Sequence, residues 1–480
     1  MSFSLRSFTA LLVLYVCFVS SCEKESTKAK EDDTDIDACA YEEQFSTIQA
    51  LIDAASAGDT ILIDPGTYEG SINFQGKDIV VGSLFLTTGD SSYISQTILD
   101  AKQSGSVVRF ENNESSGAVL SGLTLTGGHA VEGGGIFISG ASPTLSHLLI
   151  TGNKAYSCEV GDYFKAASGG GIYMEGGNSF ISKVRISGNS SEAEGGGIYM
   201  NSADPSMDLV KVRSNTASTF GGGIYFGNSG PTLSRVVVEY NEAKDGGGLY
   251  LSAFASPNLV NTVVGNNIAS NEGGGIYLNN AQTDLVNVTV ADDSAFTYGG
   301  SMFMKGGTVK TRNSIITGGG SDAIWFSKSG VSSSMIVHYS SVQGGLEGIE
   351  NNSNGTVDWG EGNLSGGGGV NADETSEILG GGNYCHNCPR WFLVFEPDAF
   401  SFGAGGNDKG DPSSQYNDEE NLWCHYVWAT EAVSIWNNGN PGYQMIAVPD
   451  TLTERNDMGA FGGPNGSWGI IHATPGSDWE

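Results

Sequence analysis

One phrase recurs through the middle of the chain, and it leaves few folds open. It reads Gly133-Gly134-Gly135-Ile136-Phe137 and begins again at Gly169, Gly195, Gly221, Gly246 and Gly273. A worn copy follows as Gly299-Gly300-Ser301-Met302-Phe303. The steps between first glycines are 36, 26, 26, 25, 27 and 26 residues. A fixed period of this size marks a solenoid or an array, because each copy is one unit that buries its apolar face only against its neighbours.

Each copy has an internal order. Asn153, Asn189, Asn215, Asn241 and Asn267 recur, with Asp293 in register. Five residues before the asparagines stand Leu148, Val184, Val210, Val236 and Thr262, and three before stand Ile150, Ile186, Val212, Val238 and Val264. That alternation in β-branched residues predicts a strand with one buried face. The glycine phrase opens a second strand, with Ile172 and Met174, or Ile198 and Met200, facing inward and Tyr173 or Tyr199 facing outward. Small residues (Ala155, Ser191, Ala217, Ala243, Ala269) lie two places past each asparagine. One copy therefore holds two or three short strands with no room for a helix, and parallel stacking pairs every strand with the coil above and below.

This pattern resembles the right-handed parallel β-helix, or pectin-lyase-like, superfamily. The glycine-isoleucine phrase in particular resembles the polymorphic outer-membrane-protein repeats of bacterial surface proteins. The resemblance implies an all-β fold: a single-stranded right-handed parallel β-helix solenoid with an N-terminal capping helix and an irregular C-terminal cap. Lyases, hydrolases and adhesins all use that scaffold, so the fold alone does not assign a function.

The ends of the chain read differently. Arg6 and the apolar run Phe8 to Val19 predict a secretory signal over residues 1–21, too short to span a bilayer. Val19-Ser20-Ser21-Cys22 resembles a bacterial lipobox, which implies that Cys22 is the lipidated N-terminus; the alternative is an ordinary cleaved signal. Residues 22–40 are charged and nearly free of apolar side chains, as expected of an acidic flexible tether. Together these imply anchoring in the outer membrane, at the cell surface of a Gram-negative bacterium. The β-helix is expected over 41–365, with regular repeats at about 132–305. A helix is predicted from Phe45 to Ala57, with Ser46 and Gln49 as a capping box and Ile48, Leu51, Ile52 and Ala55 as its apolar face. This phrase, through Pro65-Gly66-Thr67-Tyr68, looks like the N-terminal cap of β-helix proteins. About ten coils at ~4.8 Å each give a body roughly 50 Å long. An insertion at about 155–168, carrying Cys158, is expected to leave the solenoid as a loop. Residues 366–480 hold six of the eight tryptophans and resemble the "choice-of-anchor Q" segment, through Gly439-Asn440-Pro441 and Asn456-Asp457-Met458-Gly459-Ala460-Phe461-Gly462-Gly463. That likeness implies a cap.

Several residue columns could carry chemistry. Phe137, Tyr173, Tyr199, Tyr225, Tyr250, Tyr277 and Phe303 would form an aromatic column, either a platform for sugars or a self-stacking ladder. Glu132, Glu194, Asp245 and Glu272 stand just before the glycines. Asp245 and Glu272 fall on adjacent coils and could act as a glycosidase pair, hold calcium, or form a solvated turn. Lys183, Arg185, Lys211, Arg213 and Arg235 would bind an acidic glycan or offset carboxylates. Cys385, Cys388 and Cys424, with His386 and His425, could be disulfide-bonded, hold zinc or stay as thiols; export favours disulfides. The formal charge of −32 argues against nucleic acid as a partner. These observations predict a monomeric surface lipoprotein that binds a polysaccharide or a neighbouring cell surface without catalysis, needing no cofactor, with calcium the one ion in question. Polysaccharide lyase or hydrolase chemistry, or a purely structural envelope role, are the alternatives.

Overall fold

The computed structural model describes residues 45–160, 163–318, 323–352 and 354–365. The predicted signal, Cys22, the tether, the tryptophan-rich segment and Cys385, Cys388 and Cys424 lie outside the described residues.

Those residues form a parallel β-helix of about ten turns. Thirty strands join in one sheet that winds round the axis, and seven more form a second sheet on one corner. The repeat sets the register. Ile172 pairs with Ile198, then Ile224, Leu249, Ile276, Met302 and Ile324, all parallel. The inward residues form one continuous core: Ile172, Ile198, Ile224, Val184, Val212 and Val238 have no exposed surface. A one-residue slip would turn each of these columns out to water, so burial fixes the register.

The glycines explain the corner. Strands such as Ser190–Ser191, Thr216–Ala217 and Ser294–Ala295 build the seven-stranded sheet, which lies flat against the glycine segment. A Cβ on Gly196 would stand 2.5 Å from the Thr216 carbonyl and 2.6 Å from the Gly222 oxygen. The middle glycine is thus closed in by backbone on two sides. The first glycine turns the chain with positive φ, +62° at Gly195 and +66° at Gly221. The residues here are small: Ala155, Ala167 and Ala193 form one buried cluster, and Ser191, Ala217 and Ala269 are buried in the same sheet.

The N-terminal helix is shorter than predicted, Thr47–Ala54. Ser46 caps it, accepting from Ile48 N–H at 3.4 Å. The reciprocal half of the capping box is not formed, and Leu51 is 53% exposed while Gln49 is buried. The cause is the open end of the solenoid. Gln49 Nε2 donates to Asn73 O (3.0 Å) and Gln49 Oε1 accepts from Asn73 N (2.7 Å), so one side-chain amide replaces a strand on that exposed backbone edge. Gly66–Glu69, at the end of the cap-like phrase, is a strand. Two short helices, Phe85–Thr88 and Ser92–Gln96, were not anticipated in the irregular early coils. The insertion is an antiparallel hairpin, Cys158–Val160 with Tyr163–Lys165.

Behind the glycine corner runs the asparagine ladder, from Asn153 to Asn267, every member buried. Asn215 Oδ1 accepts from Asn189 N (3.0 Å) and Asn189 Nδ2 (3.1 Å), while Asn215 Nδ2 donates to Ile186 O (3.0 Å). The same three bonds repeat at Asn241 and Asn267. Asp293 ends the run. Its Oδ1 accepts two bonds from Asn267 at 2.8 Å, but its Oδ2 is buried with no partner. That oxygen faces Gly275 as the Asn267 nitrogen faces Gly248. It occupies a donor's place, which an ionised carboxylate cannot fill. Burial holds the Asp293 carboxyl well above the usual range, and burial also pushes the neighbouring Asp292 up to about 7.

Two outcomes follow from the ladder. Asn215→Ala leaves Asn189 N–H without a partner in a dry interior, at about 1–3 kcal/mol, and removes the side-chain bond to Ile186 C=O; a fall in the thermal midpoint is expected, with the core mutation Val212→Ala as the packing control. For Asp293 the folded pKa lies above the unfolded one, so its contribution is most favourable below about pH 4 and is lost as pH rises toward neutrality. Asp293→Asn should therefore raise the midpoint near neutral pH and have little benefit in acid. A scan of melting temperature against pH for both chains checks the sign.

Candidate functional site

The outward residues of the glycine-led strands build a face with three columns. The centre is aromatic. Parallel, in-register pairing puts Tyr173 beside Tyr199, Tyr199 beside Tyr225, and Tyr250 beside Tyr277. The rings stack on the coil rise: 5.4 Å from Phe137 to Tyr173 and 5.2 Å to Tyr199, both within 1° of parallel. Stacking continues at 4.9, 5.4 and 4.8 Å through Tyr225 and Tyr250 to Tyr277, and Phe303 lies tilted at 5.0 Å. The Arg109 guanidinium covers the first ring, 4.5 Å from the Phe137 centroid.

This geometry changes what the column can offer. Ring faces are occupied by neighbouring rings, so a sugar would meet edges and hydroxyls instead of a flat platform. Tyr173, Tyr250 and Tyr277 are 5–6% exposed, and only Tyr199 and Tyr225 among the tyrosines are half-buried. The hydroxyls reach toward a polar column two residues beyond each ring. Tyr173 O–H donates to Glu175 (3.2 Å), Tyr225 bonds Ser252, and Asn279 Nδ2 donates to Tyr250 Oη (3.3 Å). This third column was missed in the sequence, although its signal is there: a polar side chain at every second position after the aromatic is the alternation of a half-exposed strand. Burial raises the phenol pKa values, to about 12 for Tyr250 and further for Tyr173, Tyr199 and Tyr277, with nearby carboxylates adding to the shift.

The acidic column is in register as its spacing implies. Glu132, Ser168, Glu194, Phe220 and Asp245 bridge in succession, and Asp245 pairs with Glu272. Glu132 is neutralised by Lys165 of the hairpin at 3.0 Å. Asp245 is buried and accepts from Asn271 Nδ2 (2.7 Å) and Glu272 N (3.2 Å). Glu272 is pushed up by burial and then by Asp245, with Lys305 and Lys244 opposing. The two carboxyls thus differ: one fixed by donors, the other held toward its protonated form. Among the described residues no group of three or more His, Cys, Asp or Glu side chains could hold a metal.

The basic residues lie on another face and are largely engaged. Lys211 pairs with Glu239 at 3.0 Å, Arg213 reaches the same carboxylate at 3.6 Å, and Arg235 Nε donates to Asp208 at 2.8 Å. His129 stacks on Tyr156 at 4.3 Å and His147 lies against Phe85 at 4.5 Å, both in structural settings. Cys158, on the insertion, is disulfide-bonded.

Comparison with protein-family models matches residues 84–264 to a family described as a right handed beta helix region. One solved structure that the chain resembles is titled "Crystal structure of pectate lyase Pel9A". The identity is 14%, covering 86% of this chain and 90% of that one, with a TM-score of 0.37. A search of curated proteins finds no match.

The raised phenols predict alkaline behaviour. Their folded pKa values exceed the unfolded value of about 10, so the stability they contribute is intact below that pH and is lost as pH rises through the folded values. Spectrophotometric titration should show these tyrosines ionising only with unfolding, in one steep step. Tyr250→Phe, which keeps the stack, should move that step to higher pH.

Proposed function

We propose that this protein is a non-catalytic surface binding module, tethered to the outer membrane through a lipid on Cys22, that holds an extended polysaccharide along the aromatic face. One observation carries this reading: ring edges, hydroxyls and flanking polar groups repeat in register at the coil spacing, as the repeating units of an extended glycan do. Tyr199 and Tyr225 lie at the most open part of the stack. Phenol edges give apolar contact and directional hydrogen bonds at little conformational cost, because stacking has already fixed their rotamers. A solvated, strongly acidic body keeps such a module soluble and favours neutral or cationic ligands over polyuronates.

A second reading has its own observation. Glu272, held toward its protonated form beside the fixed Asp245, has the unequal pair of carboxyls that acid-base cleavage of a glycosidic bond requires. The purely structural role predicts neither retention nor cleavage.

The full chain is incubated with a panel of insoluble polysaccharides, and retention and new chain ends are followed together. Retention without new ends is expected. The double variant Tyr199→Phe with Tyr225→Phe keeps the rings and should weaken retention about five- to tenfold, the loss of one or two hydrogen bonds. Unchanged retention in that variant sinks the aromatic-face reading. New chain ends that vanish in Glu272→Gln would replace it with the enzymatic one.

A further inference from the structure

The three columns of the aromatic face are not alike on every coil. On most coils their polar groups answer one another. Glu132 is paired with Lys165, Tyr173 with Glu175, Tyr225 with Ser252, Tyr250 with Asn279, and Asp245 with Asn271. The coil that carries Glu194, Tyr199 and Asn201 departs from this. All three side chains are half-buried, and among the described residues none of them has a side-chain hydrogen bond or ion pair.

A single glycine accounts for the difference. The residue that answers a tyrosine hydroxyl stands two places beyond the ring of the next coil: Ser252 for Tyr225, Asn279 for Tyr250. For Tyr199 that place is Gly227, which pairs with Asn201 in the register. A Cβ there would lie 3.2 Å from Asn201 Oδ1 and 3.2 Å from the Tyr225 ring. Gly227 is buried, and a Cβ there would also lie 3.1 Å from Met200 O, so this position supplies no side chain to answer Tyr199. On the other side of the ring column, Glu194 has the uncharged Ser168 and Phe220 as its neighbours. Burial alone shifts its carboxyl upward, with no cation acting on it.

We propose that Glu194, Tyr199 and Asn201, left without partners where Gly227 stands in the neighbouring column, form a subsite for a sugar unit that carries a protonated amine. This rests on the polysaccharide-binding reading and names the class of ligand. A half-buried carboxylate without a counter-charge is unfavourable, and an ammonium group supplies that charge together with a charge-assisted hydrogen bond, roughly twice as strong as a neutral one. The Tyr199 hydroxyl and the Asn201 amide offer both donors and acceptors to sugar hydroxyls. A uronate would meet like charge from Glu194 and from Glu175 on the neighbouring coil.

The test compares a glucosamine oligomer with its fully N-acetylated counterpart of equal length, by calorimetric titration of the full chain near neutral pH. The amine oligomer should bind about tenfold more tightly, the worth of one charge-assisted bond. Glu194→Gln, a change of charge with no change of shape, should erase the preference without lowering the melting temperature. Gly227→Ser, which puts a hydroxyl where Ser252 answers Tyr225 one coil on, gives Tyr199 a partner and should weaken both oligomers. Equal affinity for the two oligomers, or a preference that survives Glu194→Gln, overturns the subsite. If the chain is retained on other glycans but binds neither oligomer, the subsite fails and the binding face stands. If no glycan is held at all, both fail.

Discussion

The structure depends on two stretches of backbone lying closer together than any side chain permits. At Gly196 and Gly222 the glycine segment touches the carbonyls of the strand opposite and of the next coil. A closed coil needs a sharp corner, and here the corner is a flat double layer with only alanine and serine inside. Because it is so thin, little apolar surface is buried there, and the buried asparagines provide its cohesion instead. Each amide bonds two backbone groups of the preceding coil and the side chains of the asparagines on either side. Hydrogen bonding between coils is thus greatest where hydrophobic burial is least, and the two kinds of cohesion divide the cross-section between them.

The repeats are uniform enough that each departure has a visible consequence. Ser301 stands at the third glycine position just where the seven-stranded sheet has reached its last strand, Ser294–Ala295. The asparagine ladder changes to a carboxyl at Asp293 in the same coil. Past this point a second polar spine takes over nearer the core. Val288 N–H donates to Ser314 Oγ (3.0 Å), Ser314 N–H to Ser340 Oγ (3.1 Å), and Ser340 N–H to Asn363 Oδ1 (3.0 Å). The solenoid exchanges one ladder for another without losing register, since the inward Met302, Ile324 and Ile349 carry the core through.

The period, the inward columns, the asparagine ladder and the adjacency of Asp245 and Glu272 were legible in the sequence because each is a statement about spacing, and spacing is what parallel stacking preserves. Features that depend on what lies at the end of a column were not. Leu51 was assigned to the helix's buried face by periodicity, but the helix covers an open backbone edge, and that edge needs the Gln49 amide more than another leucine. The aromatic column was read correctly as a column, yet its accessibility was hidden. Identical rings in register cover one another's faces, so regularity itself removes the flat surface that a sugar would use. The short helices at 85–88 and 92–96 interrupt a region with no repeat to read them against.

Charge placement, more than total charge, shapes what the aromatic face can hold. Lys211, Arg213 and Arg235 sit on another face and are engaged there by Glu239 and Asp208. On the aromatic face, Glu132 is answered by the hairpin lysine and Asp245 by an asparagine. Glu194 lies in the coil between them, where Ser168 and Phe220 provide neither charge nor donor in the same column. Replacing serine or asparagine by Gly227 in the neighbouring column removes the last group that could have reached across to Tyr199. A solenoid that repeats one face many times becomes selective only where the repeat is broken, because a uniform face binds a polymer equally well in every register. The Glu194 coil is such a break, and it is made by leaving side chains out of an otherwise regular array.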